Sequence, residues 1–452
     1  MKKLAAGATL AIVAAGALFV ALYANPAAGV GAGYIAKVAC SEIFLAGRNK
    51  DAVLKLDFNG ISPLLDYVNV EVDEQSRQVK ASLFGLGRSR AIYRDGYGCT
   101  LVRGGAPAPL PSRDLASEQA QEKGDFTLRY ANYDVDRDAI NTALDKAFAD
   151  PLQQTRAILV MKDGAIIAER YAPGFSAETP LLSWSMAKSV TATMIGAAVK
   201  KGLVDINSPA AAEEWKGDAK RPEITWNDLM QMQSGLAFDE DYGDPRSDVN
   251  RMLFRSRSAG SVAAAKPLTH PPGTFWSYSS GTTNLLQRLL RRALDESGVN
   301  YHRFAYEEVF GPIGASSFTL EPDASGTFIG SSFVYATARD WAKLGQLYLS
   351  GGVVDGVEIL PAGWTNYVTV AASASDNFYG AQFWLNRPGK DGRPQYIPGV
   401  PDDAYLMAGH EGQYVLIIPD RNIVIVRAGM TRGVEPMPLV APVFSAIYAA
   451  VQ

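Results

Sequence analysis

The chain has 452 residues, a formal net charge of −4, 47% hydrophobic residues and 20% charged residues. These are ordinary globular values, and the length suits roughly two or three domains. The mild acidity gives no basis for binding nucleic acid, and no fixed-period repeat points to a solenoid.

Lys2 and Lys3 precede an uncharged run, Leu4 to Ala24, "LAAGATLAIVAAGALFVALYA". A membrane span needs roughly 20 apolar residues, and a secretory signal has a shorter apolar region. Residues 1–28 are therefore expected to be an N-terminal anchor, its lysines inside, with the rest exported to the periplasm and held at the inner membrane. The alternative is a signal cleaved near Ala27 and Ala28, leaving a soluble periplasmic or secreted protein. Export gives Cys40 and Cys99 a meaning, because an oxidising compartment favours a disulfide between them. They bracket strand-like runs such as "YVNVEVD" and "RAIYRDGY" in a small domain over 29–103. A Pro-, Gly- and polar-rich stretch over 104–124 reads as a linker to a final domain over 125–452.

In that domain "DRDAINTALDKAFAD" has helical periodicity, and "RAILVMKDGAIIAERY" is two β-runs around Lys162-Asp163-Gly164, a hairpin signal. A mainly helical stretch follows from Leu203 to about Val370. Near the end "YVLIIPDRNIVIVRAG" gives two more apolar runs, and "LVAPVFSAIYAAVQ" is helical. Strands at both ends with helices between predict an α+β architecture, one antiparallel sheet built from distant segments and covered by helices.

The chemistry starts at "LLSWSMAKSVTATMIGAAVKKG". Ser185 and Lys188 share a helix face at i and i+3, and lysine is rarely buried unless something pairs with it or uses it. Either Lys188 faces solvent and Ser185 caps the helix, or the two are a nucleophile and its base. Ser185 is the only serine in the chain with lysine at i+3. Unpaired N–H groups at a helix start and partial desolvation would both help lysine take the serine proton. A group that protonates the leaving atom is also needed. Tyr23, Tyr67 and Tyr130 begin Tyr-x-Asn matches and Tyr348 a Tyr-x-Ser match, but they lie in the anchor, before the serine helix, or in a core-like helix. Tyr278, in "PPGTFWSYSSGTTNLLQRLL", precedes a helix from a turn-rich loop, where catalytic side chains are commonly carried. "AGHEGQYVLIIP" supplies a strand entry with His410, Gly412 and Gln413. Gly412 would allow close approach of a ligand, and the N–H groups of Ser185 and Gln413 would form an oxyanion hole. No His/Cys cluster has metal-ligand spacing and no glycine loop follows a strand in phosphate-binding form, so no cofactor is expected.

Ser185-Met186-Ala187-Lys188, Tyr278-Ser279-Ser280 and His410-Glu411-Gly412, in that order, resemble the motifs of class C β-lactamase-like serine hydrolases. "ITWNDLMQMQSGLAFDEDY" and "GSSFVYATARDWAKLGQLYLSGG" are similar to the 6-aminohexanoate-dimer hydrolase and esterase branch. The resemblance spans roughly Phe126 to Gln452. It implies a helical domain inserted into an α/β sandwich, with Ser185, Lys188 and Tyr278 in the cleft between them and Ser280, His410 and Gly412 binding substrate. Penicillin-recognising relatives carry lysine where His410 stands, which weakens carboxylate binding here. The expected activity is acyl-enzyme hydrolysis of a small-molecule ester or amide. The alternatives are a penicillin-binding-protein-type D-amino-acid peptidase or weak β-lactamase, and an inactive anchored binding protein. Finally, "FDEDYGD" crowds Asp239, Glu240, Asp241 and Asp244 around Tyr242. Charge runs are usually solvated, but in the resembled branch this segment borders the cleft, so Asp239, Asp241 and Tyr242 are expected to touch substrate.

Overall fold

A computed structural model describes residue 18 and residues 20–113, 129–131 and 133–451. Most of the expected anchor (4–17 and 19) and the linker from 114 to 124 lie outside these residues. Among the described residues no helix is long and apolar enough to cross a membrane.

The N-terminal region is built on a helix the sequence reading did not anticipate, α1 (Asn25–Phe44), with proline in its first turn. Proline is tolerated there because its missing N–H would have no helical partner anyway. Nearly every residue of α1 from Ala28 to Glu42 is buried, so it lacks the polar stripe that makes a surface helix legible. It lies against an antiparallel sheet in the order β1 (Val68–Asp73), β2 (Gln78–Leu83), β3 (Leu86–Arg94), β4 (Gly98–Leu101). A disulfide joins Cys40 of α1 to Cys99 of β4.

This region is not separate from the rest. Ile35 and Val38 share an apolar cluster with Trp184, Met252, Phe254 and Phe333. Lys37 pairs inside that contact with Glu321, whose carboxylate also accepts from Ser41 Oγ at 2.7 Å. The first part of the expected linker is pinned too: Ala108 N–H donates to Ala324 O (2.9 Å) and Tyr97 O–H to Pro111 O (3.0 Å).

The main sheet has seven strands. Its central hairpin is β6 (Thr155–Lys162) and β7 (Ala165–Tyr171), preceded by β5 (Arg129–Tyr130) and α2 (Arg137–Ala149). Four strands come from near the C-terminus: β8 (Trp384–Leu385), β9 (Tyr405–Gly409), β10 (Gln413–Ile418) and β11 (Ile423–Gly429). The order is β8-β9-β10-β11-β6-β7-β5, antiparallel except β5 beside β7. Side chains alternate across a strand. Thus Ile158 and Val160 face one cluster with α2 and the terminal helix α3 (Pro436–Ala450), while Leu159 and Met161 face the other. That second face carries the helix that begins beside Ser185 (Ala187–Lys200) and another over Ala338–Leu349. The α+β expectation, with a sheet assembled from both ends, describes what is found.

Candidate active site

The nucleophile candidate sits on a strained turn. Trp184 adopts φ +44°, a left-handed conformation that costs a bulky residue of order 1–3 kcal/mol and persists only where the surroundings enforce it. Here Tyr34 of α1 stacks on the indole (6.2 Å), Phe333 packs at 5.9 Å and His410 meets it edge-on at 5.6 Å. Ser183 Oγ–H donates to the Trp184 carbonyl at 2.9 Å. Ser185 sits in the short 3-10 turn Trp184–Met186 that leads into the Ala187–Lys200 helix, and Lys188 lies in that helix's first turn with its amine beside the serine.

Lys188 is 1% exposed. Its Nζ lies 3.0 Å from Ser185 Oγ, 2.8 Å from Ser280 Oγ and 3.2 Å from the Ser331 carbonyl. Burial lowers its pKa from 10.5 to about 8, with Glu240 pulling the other way, because removing an ammonium from water penalises the charged form. The Tyr278 ring centroid is 4.7 Å from Nζ. Burial, then the charge of Glu240, raises the Tyr278 phenol, and a hydrogen bond with Ser185 partly offsets them. Trp384 and Tyr379 pack on the ring at 5.3 and 5.9 Å. Ser185, Lys188 and Tyr278, 93 residues apart in sequence from first to last, are thus one cluster.

The β9–β10 turn forms the wall beside this cluster. His410 is exposed and lies between Trp184 and Tyr242, whose ring stacks on it at 5.2 Å and 11°. The close approach to the nucleophile is made by Gly409 rather than Gly412. A Cβ on Gly409 would fall 2.2 Å from Ser183 O and 3.2 Å from Ser185 N, whereas one on Gly412 (φ +83°) would meet Arg427. The Gln413 side chain is spent on the sheet, donating to His410 O (3.1 Å) and Gly429 O (2.6 Å). Behind the turn, buried Glu411 pairs with Arg432, and Arg432 also donates to Asn59 O at 2.9 Å. The N-terminal region therefore braces this wall.

The acidic loop departs from expectation. Asp239 and Asp241 are exposed, and their carboxylates fold the loop itself, accepting from Asp241 N–H (3.1 Å) and Gly243 N–H (2.8 Å). Glu240 is the one that turns inward. Its carboxylate accepts from Ser280 N–H at 2.8 Å and from Ser280 Oγ–H. The signal was available: in an extended run residues 238, 240 and 242 share a side, and Phe238 and Tyr242 are both apolar rings. Ser280, expected to bind substrate, instead lies between Lys188 and Glu240 with its hydroxyl engaged on both sides.

A buried lysine between a partly buried serine and tyrosine, set where an antiparallel sheet meets a helical layer, has the make-up of a serine-hydrolase site. The Beta-lactamase family model matches residues 144–443, more than half the chain, and the chain belongs to that family. It is 28% identical over 232 residues to a 6-aminohexanoate-dimer hydrolase of Paenarthrobacter ureafaciens, covering 48% of this chain and 58% of that protein. Among solved structures, a family VIII carboxylesterase has a TM-score of 0.54 at 16% identity, covering 71% of this chain and 98% of that one. A penicillin-binding protein homologue from Caulobacter crescentus has 0.52 at 20%, covering 69% and 97%. At those identities the likeness is one of fold.

Proposed function

We propose that the protein is a serine hydrolase that cleaves a small-molecule ester or linear amide through an acyl-enzyme. The observation that carries the reading is the buried Lys188 amine 3.0 Å from Ser185 Oγ. Lys188 takes the Ser185 proton as Oγ attacks the carbonyl carbon. Tyr278, beside both, gives its phenol proton to the leaving oxygen or nitrogen and regains one from the Lys188 ammonium, and water then releases the acid by the reverse path. The oxyanion is held by the Ser185 N–H and a backbone N–H of the β9–β10 turn. Gln413, the residue expected for this role, pairs across from Gly409, which packs against Ser183 and Ser185.

His410 in the cleft favours acyl groups without a carboxylate, which supports an esterase or aminohexanoate-oligomer type over a D-amino-acid peptidase or β-lactamase. The intact cluster supports an enzyme over an inactive binding protein. The lysine-flanked apolar segment 4–24 and the disulfide support export with membrane anchoring. Cleavage near Ala27–Ala28 would remove Asn25, whose Oδ1 accepts from Gly87 N–H at 2.8 Å. The test is a panel of p-nitrophenyl esters, a linear aminohexanoate dimer, nitrocefin and a D-Ala-D-Ala peptide, with Ser185→Ala as control. Turnover of an ester or the dimer, lost in the control, is expected. Turnover of nitrocefin or the D-Ala-D-Ala peptide alone would overturn the substrate assignment.

A further inference from the structure

The partners of Lys188 pose a question of direction. A neutral amine has two N–H bonds and one lone pair, and here it has three oxygens around it. It can act as base on Ser185 only if the lone pair faces Ser185 Oγ, so both N–H bonds must be used by the other two oxygens. The Ser331 carbonyl accepts and cannot donate. The Ser280 hydroxyl can do either. If it donates to Lys188, it takes the lone pair and the base is lost.

Glu240 removes that choice. Its Oε2 accepts the Ser280 backbone N–H at 2.8 Å and its Oε1 accepts the Ser280 hydroxyl proton. Tyr242 O–H also points at Oε1, at 3.4 Å. Every one of these partners donates, as an ionised carboxylate requires. With its single proton committed to Glu240, Ser280 Oγ must accept from Lys188. The loop is fixed in this pose from both sides. Phe238 covers Gly281, where a Cβ would fall 2.3 Å from the ring, and Asn250 Nδ2 donates to the carbonyls of Tyr242 (3.0 Å) and Asp244 (2.9 Å).

We propose that Glu240 is a positioning residue that sets the polarity of the Glu240–Ser280–Lys188 chain and thereby aims the lysine lone pair at Ser185. The proposal rests on the serine-hydrolase reading above and assigns a role that the motif residues alone do not suggest. Ionisable groups facing Glu240 are Lys188, Tyr242, Tyr278 and Tyr379. Among the described residues Glu240 is the charge that acts on Lys188, so a change of charge at position 240 should be read directly by the lysine.

The test is the rate of fluorophosphonate labelling of Ser185, and of p-nitrophenyl butyrate turnover, from pH 6 to 10 in four proteins: wild type, Glu240→Gln, Ser280→Ala and the double variant. Glutamine is isosteric, but its amide presents one acceptor and one donor. When its oxygen takes the Ser280 N–H, its NH2 faces Ser280 Oγ and turns that hydroxyl toward Lys188. Glu240→Gln is expected to lower the plateau rate about tenfold or more. It should also move the acid limb to lower pH, because the carboxylate charge raises the Lys188 pKa. In the Ser280→Ala background there is no hydroxyl to turn, so the plateau effect should vanish while the limb still moves. A merely structural role would lower the plateau in both backgrounds and leave the limb in place, which would overturn the proposal. Glu240→Ala gives an independent reading: acetate should raise its labelling rate and acetamide should not, and equal response to both contradicts the proposal. Failure of the wild type to label at Ser185 would sink the hydrolase reading. Labelled wild type with an indistinguishable Glu240→Gln would sink only this inference.

Discussion

Lys188 makes the site's pH dependence calculable. In water a lysine of pKa 10.5 is neutral in only about three molecules in ten thousand at pH 7. Held at about 8 by burial, roughly one in ten is neutral at pH 7, a gain of about 300-fold in competent base, or about 3.4 kcal/mol. Log kcat/KM for a neutral p-nitrophenyl ester should therefore rise with unit slope up to about pH 8 and then level off, after subtraction of alkaline background. A profile flat down to pH 6, or one still climbing toward 10.5, would refute the assignment of Lys188 as a desolvated base. The same shift has a stability consequence of definite sign. The folded-state pKa lies below the unfolded one, so between about 8 and 10.5 the unfolded chain binds the extra proton and stability rises with pH. Below about 8 the full penalty for a buried ammonium applies. Lys188→Met should accordingly be inactive yet melt higher than wild type at pH 7, a difference that shrinks above pH 8. A lower Tm would count against burial as the cause.

Three further outcomes follow from the contacts. At a sequence separation of 59, Cys40 and Cys99 should contribute about 4 kcal/mol through loop closure; a Cys40→Ala/Cys99→Ala pair that unfolds in urea at the wild-type midpoint would contradict this, and so would free thiols in exported protein by mass spectrometry without reduction. Arg432→Met strands buried Glu411 and should cost about 3–5 kcal/mol, with raised KM because the His410 turn loses its brace; an unchanged urea midpoint would show the pair to be incidental. Asp239→Asn/Asp241→Asn should weaken any preference for amine-bearing over carboxylate-bearing esters only modestly, since both carboxylates are exposed and screened by salt; identical ranking in both proteins would leave the loop's surface charge without a role in selectivity.

The sheet was legible because its strands carry period-two or continuous apolar runs around turn residues, as in "RAILVMKDGAIIAERY" and "YVLIIPDRNIVIVRAG". Ser185, Lys188 and Tyr278 were legible because a lysine in an otherwise apolar helix demands a reason. The helix over Asn25–Phe44 was not, since a helix buried on most sides shows no amphipathic stripe and merges with the apolar run before it. Gly409 and Gly412 look alike in the sequence, both glycines near a turn, and only the packing against Ser183 tells which one comes close. Glu240 was hidden among four carboxylates. Charge counting treats them alike, whereas the extended backbone sends one inward and its neighbours out.

If Ser185 is the nucleophile and Lys188 its base, Ser185 forms a covalent adduct at a rate that depends on Lys188. The direct measurement is intact-protein mass spectrometry after incubation with a fluorophosphonate at pH 8, followed by peptide mapping. One added phosphonyl group is expected, carried by the peptide containing Ser185, absent in Ser185→Ala and strongly slowed in Lys188→Met. An adduct on another residue, or one formed equally fast without Lys188, would contradict it.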